Sequence, residues 1–312
     1  MSAAGPRHVR VLPVPATGAE DVVVADNGLV FTGTEDGSVF AVRPDGAGVD
    51  LVGSTGGRPL GIELLGPDRL LIADAHHGLL AMDRRTGAVE TLVDAVEGRP
   101  LVFCNNAAVA TNGDIWFSDS STVYGIEKWK NDFVQDTRTG RLFCLRAGGG
   151  VELHLDGLAF ANGVALAADE SYVAVAETGA RTVVRLWLSG ERAGTRDLLC
   201  ANLPGYPDNI ARGSDGLIWV SIASPVDGLV ERVQRGPHLV RRLVTAIPEA
   251  LQPKPKQTVR AMAFDDTGTC VHDVSGEADG FHMVTGVREH DGQLWLGSLH
   301  EPAVAVISLG SD

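Results

Sequence analysis

The sequence predicts an all-β protein: a six-bladed β-propeller with four-stranded blades, closed into a ring by its N-terminal strand and interrupted by one short helical insertion. Three observations predict it. A turn-and-strand motif returns six times, a second apolar alternation precedes every copy, and most of the chain lacks the 3.6-residue periodicity that helical repeats of similar length would show.

The six copies are NGLVFTG from Asn27, PDRLLIAD from Pro67, NGDIWFSD from Asn112, DESYVAVAE from Asp169, DGLIWVS from Asp215 and DGQLWLGS from Asp291. Each opens on a polar turn, continues through β-branched or aromatic residues that suit a pleated strand, and stops at a small or polar residue. The turns are hairpin chemistry. Upstream lie EDVVVAD from Glu20, GIELLG from Gly61, NNAAVAT from Asn105, NGVALAAD from Asn162, DNIARGSD from Asp208 and TGVREHDG from Thr285. Their starts are 41, 44, 57, 46 and 77 residues apart, so the third and fifth blades carry insertions.

The first insertion, about 121–141, is polar and aromatic; the second, about 225–258, has apolar residues near helical spacing with arginines between them. The second is expected to form a short amphipathic helix over the rim, its arginines a solvated face. The chain ends in AVAVISL, and HVRVLPV near the start belongs to no blade of its own. Pairing the two closes the ring and removes open sheet edges. One propeller domain spanning 1–312 is therefore expected.

Composition narrows the function. The 312 residues carry a net charge of −14, with 26 basic against 40 acidic side chains, which speaks against a nucleic-acid or anionic-membrane partner. Neither a long apolar run nor a secretory leader is visible, so a soluble, cytoplasmic protein is expected. Cys104, Cys144, Cys200 and Cys270 lack CxxC spacing and sit in or beside apolar runs, as reduced core cysteines do. The oligomeric state is left open.

The innermost strand of each propeller blade starts at the channel mouth, so residues opening those strands converge. They are Glu20, Gly61, Asn105, Asn162, Asp208 and Thr285, with Asn106 and Asn209 adjacent. Oxygen donors of the Asp, Glu and Asn type without His or Cys suit a hard divalent cation, Ca2+ first, held by Glu20, Asn105, Asn162 and Asp208, with Asn209 as a further candidate. Asn and Asp also open strands simply because they favour turns. The turns after each repeated strand return to the same face and bring Glu35, His76, His77, Ser118 to Ser121 including Ser120, Glu177, Thr178, Ser221 to Ser224 and His300 around a pocket. The histidines titrate near neutrality and are candidate bases or plain polar wall. No G-x-S-x-G elbow supports a serine hydrolase.

Several segments resemble the strictosidine-synthase-like branch of the superfamily that also holds gluconolactonase, the senescence marker protein and the paraoxonases. They are RPLGIELL at Arg58 to Leu65, IWFSDSSTVY at Ile115 to Tyr124, TGRLF at Thr139 to Phe143, and LAFANGVALAADESYVAVAETGARTVVRLWL at Leu158 to Leu188. LPGYPDNIARGSDGLIWVSIASP at Leu203 to Pro225 and VTGVREHDGQLWLGSLHEPAVA at Val284 to Ala305 complete the set.

The resemblance implies calcium ligands at Glu20, Asn105, Asn162 and Asp208, the same set the repeats bring together. It further implies a lactone or ester hydrolase acting on a small molecule, with the cation polarising the carbonyl, Asp208 doubling as ligand and base toward water, and Asn162 holding a substrate oxygen. His76 and His77 stand where relatives often carry aromatic residues, and they offer alternative bases. Strictosidine synthases use a glutamate in the last blade; Thr285 takes that place here, so amine–aldehyde condensation is not expected. A biosynthetic lyase or cyclase in the same cup, and a binding propeller with a structural ion, are the rival readings.

Overall fold

The computed structural model describes residues 7–247 and 256–310. Strands in the sequence copies pair antiparallel with their upstream partners, and six four-stranded blades result. The first runs from Val22–Val24 through Val30–Gly33 and Ser38–Val42 to Val49–Ser54; the second from Pro59–Leu65 to Val89–Val93. The third spans Cys104–Val109 to Val151–Leu158, and the fourth Ala161–Leu166 to Arg196–Cys200. The fifth spans Gly205–Arg212 to Cys270–Glu277, and the sixth starts at Val284–His290.

The sixth blade takes its outermost strand from the N-terminus, where Arg10–Pro13 pairs antiparallel with Ala303–Ser308. Just upstream, Arg7–His8 runs parallel to Cys270–Glu277 of the fifth blade. The N-terminal segment thus ties two blades together, and no blade is left without a neighbour.

Strand patterning explains the ring. In Arg69–Asp74, Leu70 and Ile72 pack with Phe31 and Val39 of the first blade, while Leu71 and Ala73 pack with Phe117 and Phe143 of the third. Successive strand side chains point to opposite faces, and here both faces meet a neighbouring blade. The strands therefore read as nearly continuous apolar runs. Among the described residues one apolar cluster fills each of the six blade junctions. Cys104, Cys144 and Cys200 are buried and Cys270 half-buried, all as free thiols.

The insertions carry the helices. The first forms α1, Trp129–Gln135; the second forms α2, Gly228–Gln234, capped by Asp227 Oδ1 on the amides of Leu229 and Val230, and α3, His238–Thr245. The helix expected in the second insertion is thus two short ones, because Gly236 and Pro237 interrupt it. Residues 248–255 of that insertion lie outside the described residues.

The blades approach most closely at the channel. A Cβ on Gly163 would stand 2.1 Å from Ile210 N and 2.6 Å from Asn209 Cα, both backbone atoms of the next blade. Gly163→Ala is expected to cost at least about 2 kcal/mol of unfolding free energy, since backbone cannot rotate away. Gly148→Ala, with nothing within 4 Å, is the neutral comparison in the same denaturant titration.

Candidate metal and substrate site

The innermost strands of blades two to six share one irregularity. Between Pro59 and Ile62, Cys104 and Ala107, Ala161 and Val164, Pro207 and Ile210, and Val284 and Val287, two residues face one on the next strand. Such a bulge breaks the alternation and re-aims side chains. The bulged pairs are Leu60-Gly61, Asn105-Asn106, Asn162-Gly163, Asp208-Asn209 and Thr285-Gly286, and Glu20-Asp21 takes the same place before Val22–Val24. The register makes Leu60, not Gly61, the second blade's counterpart of Asn105.

The second residues of the pairs form a closed lower tier. Asn106 Nδ2 donates to Asp21 Oδ2 (3.1 Å) and to Asn209 Oδ1 (3.0 Å), and Asn106 Oδ1 accepts from Val164 N (2.9 Å). Asn209 Nδ2 donates to Glu20 Oε2 (3.2 Å). Three side chains fill this tier, and Gly61, Gly163 and Gly286 make room for them in the alternate blades, each too close to the neighbouring backbone for a Cβ. Asn209 is thereby committed to positioning Glu20, with its carboxamide oxygen turned to Asn106. Its oxygen is thus already bonded once, unlike those of Asn105 and Asn162.

The first residues form the upper tier, and here two carboxamides are held by hydroxyls. Ser120 Oγ donates its one proton to Ala161 O (2.7 Å), so it meets Asn105 through Nδ2 (3.0 Å). Thr178 Oγ1 donates to Pro207 O (2.7 Å) and meets Asn162 through Nδ2 (3.2 Å). Both amide orientations follow, and Asn105 Oδ1 and Asn162 Oδ1 are left enclosed without a partner. A buried acceptor without a donor is costly. Glu20 is buried beside them, and Asp208 opens partly onto a cavity while protein surrounds it otherwise.

Burial, then the neighbouring carboxylates of Asp208 and Asp21, raises the Glu20 carboxyl well above the usual range. Burial pushes Asp208 up to about 7, and it does the same to Asp21 against the opposing charge of Arg288. Two carboxylates that repel each other and two unfilled carboxamide oxygens fit a hard divalent cation. Among the described residues no cluster of three or more His, Cys, Asp or Glu suits a metal.

Above Asp208 lies a cavity roofed by the insertions. Trp129, Phe133 and Val134 of α1, Leu229, Val230 and Val233 of α2 and Val244 of α3 line it, with Tyr206, Met283, Thr178 and Ser224. Phe133 stacks edge-on against Tyr206 with ring centres 4.8 Å apart. A second cavity adjoins it across Trp129 and is lined by Arg58, Glu35, His76, Glu127 and His300 among others.

The residues expected around the pocket divide accordingly. Thr178 and Ser224 line the apolar cavity, whereas His76 and His300 line the other, His76 Nε2 lying 2.7 Å from Glu127 Oε1. His77 stands beside His76, exposed, 3.7 Å from Asp74. Ser120 is fully buried and acts on Asn105 instead of facing the pocket. Glu177 lines neither cavity: it accepts from Ala159 N (2.8 Å) and Thr182 Oγ1 (3.1 Å). Thr285 joins the upper tier, but its hydroxyl donates to Glu20 O (2.8 Å).

A family model described as the SMP-30/gluconolactonase/LRE-like region matches residues 19–250, more than half of the chain. The chain belongs to this family. Among similar proteins, a strictosidine synthase-like protein 10 from Arabidopsis thaliana is 35% identical over 81% of this chain and 70% of its own. Human adipocyte plasma membrane-associated protein is 30% identical over 90% and 73%. Among solved structures, a gluconolactonase from Xanthomonas campestris superposes with a TM-score of 0.71 at 17% identity, covering 97% of this chain and 90% of that one. The calcium-binding protein regucalcin from Agrobacterium tumefaciens gives 0.69 at 13% identity, over 98% and 95%. At these identities the likeness shows the six-bladed fold. No helix of the described residues in this SMP-30/gluconolactonase-like chain is long and apolar enough to cross a membrane.

Residues behind the upper tier were not legible as such, Ser120 being the clearest. Ser120→Ala frees the Asn105 amide to turn, and it is expected to weaken calcium binding roughly tenfold, as loss of an orienting partner does. Calorimetric titration of the chelator-stripped protein measures it.

Proposed function

We propose that this protein is a calcium-dependent hydrolase of lactones or related esters with an apolar body, with Glu20, Asn105, Asn162 and Asp208 holding the ion. One observation carries the reading: two enclosed carboxamide oxygens without partners stand with the buried Glu20 and the half-buried Asp208, which opens onto an apolar cavity. A divalent cation bound there supplies a Lewis acid for the carbonyl. The chain's residues do the rest. Asp208 takes a proton from the water that attacks the carbonyl carbon, a role its raised pKa suits. The acyl C–O bond then breaks and Asp208 returns the proton to the departing alkoxide, so that a lactone leaves as its hydroxy acid. The Asn162 carboxamide steadies the substrate oxygen beside Asp208. The helices α1, α2 and α3 keep bulk water off and seat the apolar body.

In this reading His76 shapes the adjoining cavity, with His77 exposed beside it. The family membership supports hydrolysis, and the strictosidine synthase-like relative supports the lyase or cyclase alternative in the same cup. Thr285 offers no acid for the condensation reaction, its hydroxyl being bound to Glu20 O. The test is a panel of lactones and aryl esters given to chelator-stripped protein before and after calcium is restored. Calcium-dependent turnover of apolar members is expected. Silence across the panel would move the assignment to the lyase or cyclase, and turnover indifferent to chelation would remove the cation from the chemistry.

A further inference from the structure

Arg58 immediately precedes the innermost strand of the second blade, and Ala75 N holds its carbonyl (2.9 Å). The residue is only 6% exposed, yet its guanidinium makes no hydrogen bond or ion pair with the described residues, and Nη1 is enclosed without a partner. Burying a permanent charge in this state is costly unless something fills its donors.

The carboxylates around it bond to other groups, Asp74 through Oδ1 alone, and Glu20 through Oε2 to Asn209 Nδ2 (3.2 Å). Glu35 accepts from Thr17 Oγ1 (3.1 Å), and Asp36 accepts from Thr34 Oγ1 (2.8 Å) and Ser38 N (3.0 Å). Asp74 Oδ1 accepts from His76 N (2.9 Å) and His77 N (3.0 Å), and Glu127 is paired with His76. Glu20 first, then Glu35, Asp74 and Asp36, temper the charge of Arg58 from a distance, and none of them is hydrogen-bonded to its guanidinium. Arg58 lines the second cavity, of about 400 Å3, which shares Trp129 with the apolar cavity over Asp208. The guanidinium packs against Gly18, where a Cβ would stand 2.7 Å from Nη1 and 2.8 Å from Nη2, two residues before the candidate ligand Glu20.

We propose that Arg58 is the binding point for a carboxylate carried by the substrate, received in the cavity beside the cation site. The inference rests on the hydrolase reading for the word substrate, but the binding point itself does not depend on it. A carboxylate matches the planar fork two bonds at a time. The ligand is then an acyl compound with a carboxylate at one end, its scissile carbonyl near Asp208 and its apolar part under the helices.

The test compares mono-(4-nitrophenyl) succinate with 4-nitrophenyl butyrate, which differ by a carboxylate in place of a methyl group. With the calcium-loaded protein, Arg58→Gln is expected to lower kcat/KM for the succinate ester about 30-fold or more, mainly through KM, with the butyrate ester within about threefold of the parent. Arg58→Lys should recover part of the loss, and the melting temperature of each variant controls for folding. Equal loss on both esters would overturn the proposal in favour of support for Glu20, or of a water bridge to the unpartnered Asp74 Oδ2. If the parent cleaves neither ester, the hydrolase reading fails on its own. Calorimetric binding of monomethyl succinate against methyl butyrate, which lacks the free carboxylate, then decides Arg58 separately: binding of monomethyl succinate lost in Arg58→Gln sustains the site, and no preference for it over methyl butyrate overturns it.

Discussion

Asp208→Asn is expected to lower calcium-dependent ester or lactone turnover by about 10³-fold, with the melting temperature of the metal-free protein unchanged or raised. The exchange keeps the shape of the side chain at the cavity floor. It removes a carboxylate that burial has pushed up to about 7 and that raises Glu20 in turn. Two losses then combine. The ion gives up one of its two charged ligands, and attacking water loses its base. Saturating calcium separates them: turnover restored by excess calcium means that Asp208 served only as a ligand, whereas a loss that persists at saturation places it in the proton transfer. Activity within about tenfold of the parent at all calcium concentrations would sink the proposed role.

Calcium is expected to raise the melting temperature of the chelator-stripped protein by roughly 5–10 °C at pH 8 and by far less at pH 5. The sign follows from the carboxyls. Asp21 and Asp208 ionise at about 7 in the folded protein and Glu20 is also raised, while unfolded carboxyls ionise near 4. Stability from these groups is fully present below about pH 4, where both states hold the protons, and it is lost as pH rises through about 7. A cation competes with those protons, so its benefit grows over the same window. Scanning calorimetry at pH 5, 6, 7 and 8, with chelator and with calcium, reads the effect. A shift of equal size at every pH would show that the buried carboxyls do not face the ion.

The blades were legible because each rests on information local to one stretch of chain: a hairpin turn, a β-rich run and a stop, repeated six times. Glu20, Asn105, Asn162 and Asp208 were legible for the same reason, since equivalent places in a repeat become neighbours around a ring. The one-residue slip from Leu60 to Gly61 shows the limit. A bulge alters which of two adjacent residues faces the mouth, and it is set by pairing with the next strand. Ser120 was read as pocket wall because its turn lies on the right face; its burial and its bond to Ala161 O depend on the next blade. A partial signal for the lower tier was present in the alternation of ED, NN and DN with Gly-containing pairs, but only the closeness of the blades gives it meaning.

Periodicity and turn chemistry along the chain were therefore sufficient for the strands, the number of blades, the closing role of HVRVLPV and the oxygen-rich openers. Ring closure decided what each opener does: which amide oxygen is left free, which carboxyls are pushed up, where the helices of the insertions settle, and that Arg58 is buried without a partner. Those properties belong to contacts between residues far apart in sequence, such as the 189 positions separating Asn209 from Glu20. Solvent exclusion and charge proximity come into being only when the blades close on one another.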